Sequence, residues 1–303
     1  MRLDRIFLAE HASHVSDGVE ERAFFMEIGR DRCFALLYLP PEPRSLGFLA
    51  CHSYGLELLT LRRAERAIGL TLARLGHPVL SFHRRAYGDS TGSLADATLE
   101  SQLEDVRAAA ERLSAEAGTS QLGLFGARFG GLIAGVAASE GGVERLLLVN
   151  PALKGRDYVR QMIREMHMVQ VAIQGGESRR SMDEIMRSLQ DEGVVDVLGY
   201  PIYRGLFDGL SAVDFTADVG EFSGRAFAIQ VSKGTTVQRD LTSFAQRVQA
   251  GGGGCQIELV REPAGARFGG AAFVSTGDPT ARVDVQAPIL ERISSLTEEW
   301  LQA

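Results

Sequence analysis

The stretch QLGLFGARFGGLIAGVAAS, Gln121–Ser139, decides the fold. An apolar run of strand length ends at Phe125, a tight Gly-x-Arg-x-Gly turn follows, and an apolar helix begins at once. Gly126 and Gly130 allow strand and helix to close up around one strained central residue, and that residue is Arg128. Strand, sharp turn and buried helix in succession form the building unit of a parallel α/β sheet.

Outward from this unit, short apolar runs bounded by turn residues recur: AFFMEIG, CFALLYLP, LGFLACHS, PVLSFH, RLLLVN, FAIQVS and CQIELV. From Leu46 onward they alternate with helical patterns at Leu61–Leu75, Leu99–Ala115, Leu132–Ser139, Leu241–Gln249 and Ala287–Leu301. The alternation predicts an α/β fold with a mostly parallel, doubly wound sheet of about eight strands and helices on both faces. The first two runs have no helix between them, which predicts an antiparallel edge hairpin.

Lys154–Phe222 breaks the pattern, and no strand is expected there. Tyr158, Met162, Met166, Val169 and Ile173 form one helical stripe; Met182, Ile185, Met186 and Leu189 form another. The expected organisation is an α/β core of residues 1–153 and 223–303, with residues 154–222 as a helical cap inserted after the sixth strand. The flexible methionines could cover an apolar ligand, or the stripes could pack the cap on the body.

The net charge of −7 gives no support for nucleic-acid or anionic-membrane partners. Three cysteines, Cys33, Cys51 and Cys255, sit inside apolar runs and do not resemble a disulfide framework. No secretory signal or membrane span is apparent, so a soluble cytoplasmic protein is expected. His11 and His14 stand three apart without further ligands, and neither a metal nor a cofactor is expected.

The strand–turn–helix at Arg128 resembles the nucleophile elbow, G-x-S-x-G, of the α/β-hydrolase superfamily. PVLSFHRRAYGDSTG, Pro78–Gly92, is similar to the D-x-R-G-x-G-x-S strand and loop of these hydrolases: Arg85, Gly88, Asp89 and Ser90 match, while His83 replaces the Asp and Ala86 the first Gly. ACHSYGLELLTLRRA, Ala50–Ala64, falls where the oxyanion loop belongs. GYPIYRGLFDGLSAVDF, Gly199–Phe215, and EPAGARFGG, Glu262–Gly270, resemble stretches of exosortase (PEP-CTERM)-associated hydrolases, a subgroup that also tends to carry Arg in its elbow. That resemblance implies a role near exported proteins or exopolysaccharide.

The superfamily order is nucleophile, acid, histidine. Here the nucleophile position holds Arg128, and none of the six histidines lies after His167. The strand FAIQVS leads into Lys233-Gly234-Thr235-Thr236, and the next carboxylate, Asp240, reads as a helix start. A guanidinium stays protonated and can neither attack a carbonyl nor take a proton. The first expectation is therefore a pseudo-hydrolase that binds an anionic or acyl-type small ligand, or an active hydrolase-like partner.

In that reading Arg128 anchors the ligand at a helix N-terminus, with Phe129, His52, Ser53, Tyr54 and Arg267 around the crevice. Alternatively Arg128 pairs internally with Glu57, Asp89 or Asp208, and His83 pairs locally with Arg84, Arg85 or Asp89. The second functional expectation is an enzyme with relocated chemistry, an esterase, thioesterase, lyase or cyclase, using His83 and Ser53 with help from Arg128.

Overall fold

The computed structural model describes residues 12–174, 181–197, 200–262, 268 and 281–303. Along the chain run β1 (Ala12–Ser16), β2 (Val19–Ile28), β3 (Asp31–Leu39), β4 (Leu46–Cys51), α1 (Leu56–Arg74), β5 (Val79–Phe82), α2 (Leu99–Ala117), β6 (Gln121–Ala127), α3 (Phe129–Ser139) and β7 (Val143–Val149). Then come α4 (Gly155–Gln174), α5 (Met182–Asp191), β8 (Val194–Val197), β9 (Tyr200–Tyr203), α6 (Arg204–Ser211), β10 (Arg225–Ser232), α7 (Arg239–Ala250), β11 (Gly254–Arg261) and α8 (Ala281–Gln302).

Nine strands make one sheet in the order β1-β2-β3-β5-β4-β6-β7-β10-β11. The six from β5 to β11 are mutually parallel, and β1, β2 and β3 add an antiparallel margin. The expected edge hairpin is β2–β3. The extra strand is β1, which the sequence reading passed over: four of its five side chains are exposed, so it has no apolar alternation to read, and only backbone pairing to β2 places it.

The parallel strands are continuous apolar runs because both sheet faces are covered. Leu103, Val106, Ala109 and Leu113 of α2, Leu132 and Ile133 of α3, and Leu241, Phe244 and Val248 of α7 bury one face. Leu61, Ala64, Ile68 and Leu72 of α1, with Ile289, Ile293, Leu296 and Trp300 of α8, bury the other. Among the described residues no helix is long and apolar enough to cross a membrane.

Between β7 and β10 the chain leaves the sheet and returns to the same spot. Lys154 bridges Asp214, the Gly155 N–H donates to the Val213 carbonyl, and the Phe215 N–H donates to the Leu153 carbonyl. The excursion holds α4, α5 and α6, and Tyr158, Met162, Ile185 and Leu189 of the expected stripes are buried. It also holds β8 and β9, an antiparallel pair that corrects the expectation of no strand. Runs of four residues, one containing Pro201, are too short to show a period of two.

Candidate functional site

Arg128 is the single residue between β6 and α3, with φ 49° and ψ −113°. A positive φ costs a non-glycine residue about 1–3 kcal/mol, so the surroundings must impose it. They do: the Arg128 N–H donates to the Val149 carbonyl at 3.0 Å, and the Arg128 carbonyl accepts from Leu132 at 3.1 Å and Ala152 at 3.3 Å. The flanking glycines are obligatory. A Cβ on Gly126 would meet the Gly130 carbonyl at 2.4 Å, and one on Gly130 would meet the Cys51 oxygen at 1.9 Å.

The side chain points to an internal carboxylate. Arg128 Nε donates to Glu57 Oε1 at 2.9 Å, and the Tyr158 hydroxyl donates to Glu57 Oε2 at 2.5 Å. The backbone N–H of Phe129, first in α3, also bonds the Glu57 carboxyl. Of the three internal partners foreseen for Arg128, Glu57 is the one the structure supplies; Asp89 faces His83, and Asp208 pairs with Arg204. Burial pushes the Glu57 carboxyl above its ordinary pKa, and Arg128, Tyr158 and the Phe129 N–H pull it back. Tyr158 also lies under the guanidinium, 5.5 Å from its carbon, so α4 closes the cluster.

Arg128 is not consumed by this pair. Its two Nη groups make no hydrogen bond among the described residues, and 18% of the side chain remains accessible. A guanidinium with one edge bonded and one edge free can take a second planar anion through parallel hydrogen bonds.

The other expected crevice residues fall into different places. Ser53 is fully buried; its hydroxyl donates to Glu65 Oε1 at 2.7 Å, with the Ala127 carbonyl as a second acceptor at 3.0 Å for the same proton. Tyr54 is buried too, with its hydroxyl on the Pro201 carbonyl at 2.7 Å. Phe129 contributes a backbone N–H, its ring being buried beside Tyr54 and Tyr158. For Ser53 and Tyr54 the cause is shared: the loop after β4 packs against Ala127 of β6 and Pro201 of β9, so both side chains face protein.

His52 turns toward α1 and β5, bonding Glu65 Oε2 at 2.6 Å and Ser81 Oγ at 2.8 Å. His83 accepts from the Asp89 N–H at 3.1 Å and lies 3.4 Å from its carboxylate. Burial lowers the His83 pKa from 6.5 to about 4. Ser53 and His83 therefore share no hydrogen bond, each being committed elsewhere. Cys51 is a buried apolar filler whose thiol burial pushes up to about 12. Arg267 lies outside the described residues.

Two residues support this region: Arg84, foreseen only as a partner of His83, and Glu65, which the sequence did not single out. Arg84 is buried, its guanidinium 4.9 Å from both the Tyr87 and Phe129 rings, and Nη2 donates to the His52 carbonyl at 2.9 Å. Glu65 occupies a slot in the apolar stripe of α1 beside Leu61, Ala64, Ile68 and Leu72. A carboxylate in such a slot was the available signal.

Comparison with solved structures places this architecture. Est1E from Butyrivibrio proteoclasticus with ferulic acid bound superposes with a TM-score of 0.61 at 15% identity, over 93% of this chain and 100% of its own. An esterase of Pyrococcus furiosus gives 0.58 at 15% identity, over 94% and 90%. The mouse alpha/beta hydrolase domain-containing protein 10 gives 0.53 at 13%, over 92% and 99%. This chain has the α/β-hydrolase fold. No protein-family model and no curated protein matches its sequence. In the α/β-hydrolase fold ligands meet the carboxyl ends of the strands, and Arg128, Glu57, His52 and His83 all lie at that end.

Proposed function

We propose that Arg128, at the β6–α3 turn beside α4, anchors a carboxylate- or acyl-bearing small molecule that the protein binds without cleaving. The observation that carries this reading is a cation at the strained turn with Nε on Glu57 and its Nη groups without a hydrogen bond among the described residues. In hydrolases with a G-x-S-x-G elbow, the N–H after the nucleophile helps hold the oxyanion. The corresponding N–H here is that of Phe129, and Glu57 takes it. An internal carboxylate thus stands where reaction charge would develop, and the residue at the turn has no lone pair to donate.

The chemistry of the rest of the chain supports abandonment of the usual triad. No histidine follows His167, and Asp240, the first carboxylate after β10, is bound to Lys154 at 2.9 Å in the first turn of α7. The relocated pairing of His83 with Ser53 gains no support, since Ser53 donates into Glu65 and His83 is held by Asp89. A hydrolase-like partner protein in place of a small ligand has no feature of the geometry in its favour. The resemblance to exosortase-associated hydrolases stands on the quoted stretches alone.

Thermal unfolding with added octanoate tests the proposal. The melting temperature of the wild-type protein rises with ligand concentration by mass action. The double variant Arg128→Met with Glu57→Gln, which removes both members of the pair together, shows no rise. An equal rise in the double variant overturns the assignment.

A further inference from the structure

A serine, a histidine and a carboxylate stand in series on the α1 side of the sheet. Leu80 and Phe82 join the core on the opposite face, so Ser81 between them points toward α1. There Ser81 Oγ lies 2.8 Å from His52 Nε2, and His52 Nδ1 lies 2.6 Å from Glu65 Oε2. Because Nδ1 faces a carboxylate it carries the proton, which leaves Nε2 to accept from the Ser81 hydroxyl. Glu65 is fixed in turn by Ser53, whose N–H and hydroxyl both donate to its other oxygen. A hydroxyl on a base, with the base oriented by a buried acid, is the arrangement that activates a serine nucleophile.

We propose that Ser81, His52 and Glu65 form a hydrolytic relay for apolar carboxylic esters, separate from the Arg128 crevice and independent of what that crevice binds. Ser81 and His52 are each partly exposed, the His52 side chain at 13%. The sheet face beside them is apolar and also half-buried. Leu36 stands in register with Ser81, Phe34 is edge-on to Phe25 at 5.7 Å, and the His83 ring lies 5.3 Å from Phe34. That strip offers a seat for an acyl or aryl group.

The step balances within these groups, the ester and water. Ser81 Oγ attacks the ester carbonyl carbon while its proton passes to His52 Nε2. The bond to the alkoxy oxygen then breaks, and His52 returns the proton to the departing alcohol. Water attacks the acyl-Ser81 with His52 as base, the acid departs, and the hydroxyl of Ser81 is restored.

A fluorophosphonate probe with peptide mapping decides the matter. Cleavage after Arg74 and Arg84 releases the peptide Leu75–Arg84, in which Ser81 is the only hydroxyl-bearing residue. The adduct should fall on that peptide, vanish in Ser81→Ala and persist in Ser120→Ala. His52→Gln should slow both labelling and p-nitrophenyl butyrate hydrolysis by about 100-fold or more, the scale of a lost general base. Absence of the adduct from the folded wild-type protein overturns the relay, as does labelling unchanged in a Ser81→Ala protein that melts cooperatively, or wild-type labelling rates in His52→Gln. Each of these outcomes leaves the octanoate response of Arg128 unaffected, so the two proposals fail separately.

Discussion

At the scale of single residues, the account turns on Glu57 and Arg128 being one unit. A buried ion pair adds little net stability, but breaking it strands a charge, at a cost of about 3–5 kcal/mol. Arg128→Met alone should therefore lose about that much in urea unfolding, whereas adding Glu57→Gln should restore most of it. Additive losses in the double variant would show that the pair does not interact. His83 provides a pH signature. Its pKa is held down by burial from 6.5 to about 4, so below 6.5 the unfolded chain binds the proton that the folded protein refuses. Stability is insensitive to this group above about pH 6.5 and falls as pH drops from there toward 4, by up to about 3 kcal/mol. The urea midpoint of His83→Gln should fall less across that window, and identical wild-type and variant slopes would contradict the assignment.

At the scale of elements, the β6–α3 turn was the most legible part of the molecule. Two glycines around one residue, between an apolar strand and an apolar helix, have few other physical solutions. Gly130→Ala should confirm the closeness of the packing: its Cβ would fall 1.9 Å from the Cys51 oxygen, so the loss should reach at least about 3 kcal/mol or prevent folding. A fully stable Gly130→Ala protein would mean that α3 and the β4 loop are farther apart. Other elements were harder to read. β1 has no buried face to pattern its residues, and the β8–β9 pair is too short for alternation to appear. The site residues were legible as chemistry and not as direction. Arg128 and Glu57 were both named from sequence, but the inward aim of Ser53 and Tyr54 depends on how the loop after β4 packs, a tertiary fact that spacing does not carry. Ser81 gave no sign, because one serine in an apolar strand matters only when His52, just past the end of β4, lies 2.8 Å away.

At the scale of the whole molecule, the Glu57 cluster ties together parts of the chain that lie far apart in sequence. Glu57 comes from the first turn of α1, Arg128 and the Phe129 N–H from the β6–α3 turn, and Tyr158 from α4. A ligand at the free edge of Arg128 would meet a cation already half-neutralised by the protein's own carboxylate. That competition makes the most direct test a calorimetric titration of octanoate into three proteins: wild type, Glu57→Gln, and the double variant with Arg128→Met. Removal of the competing charge should tighten binding in Glu57→Gln by about tenfold, the scale of one charged hydrogen bond, and loss of the anchor should abolish it in the double variant. Equal affinity in all three proteins would contradict the account.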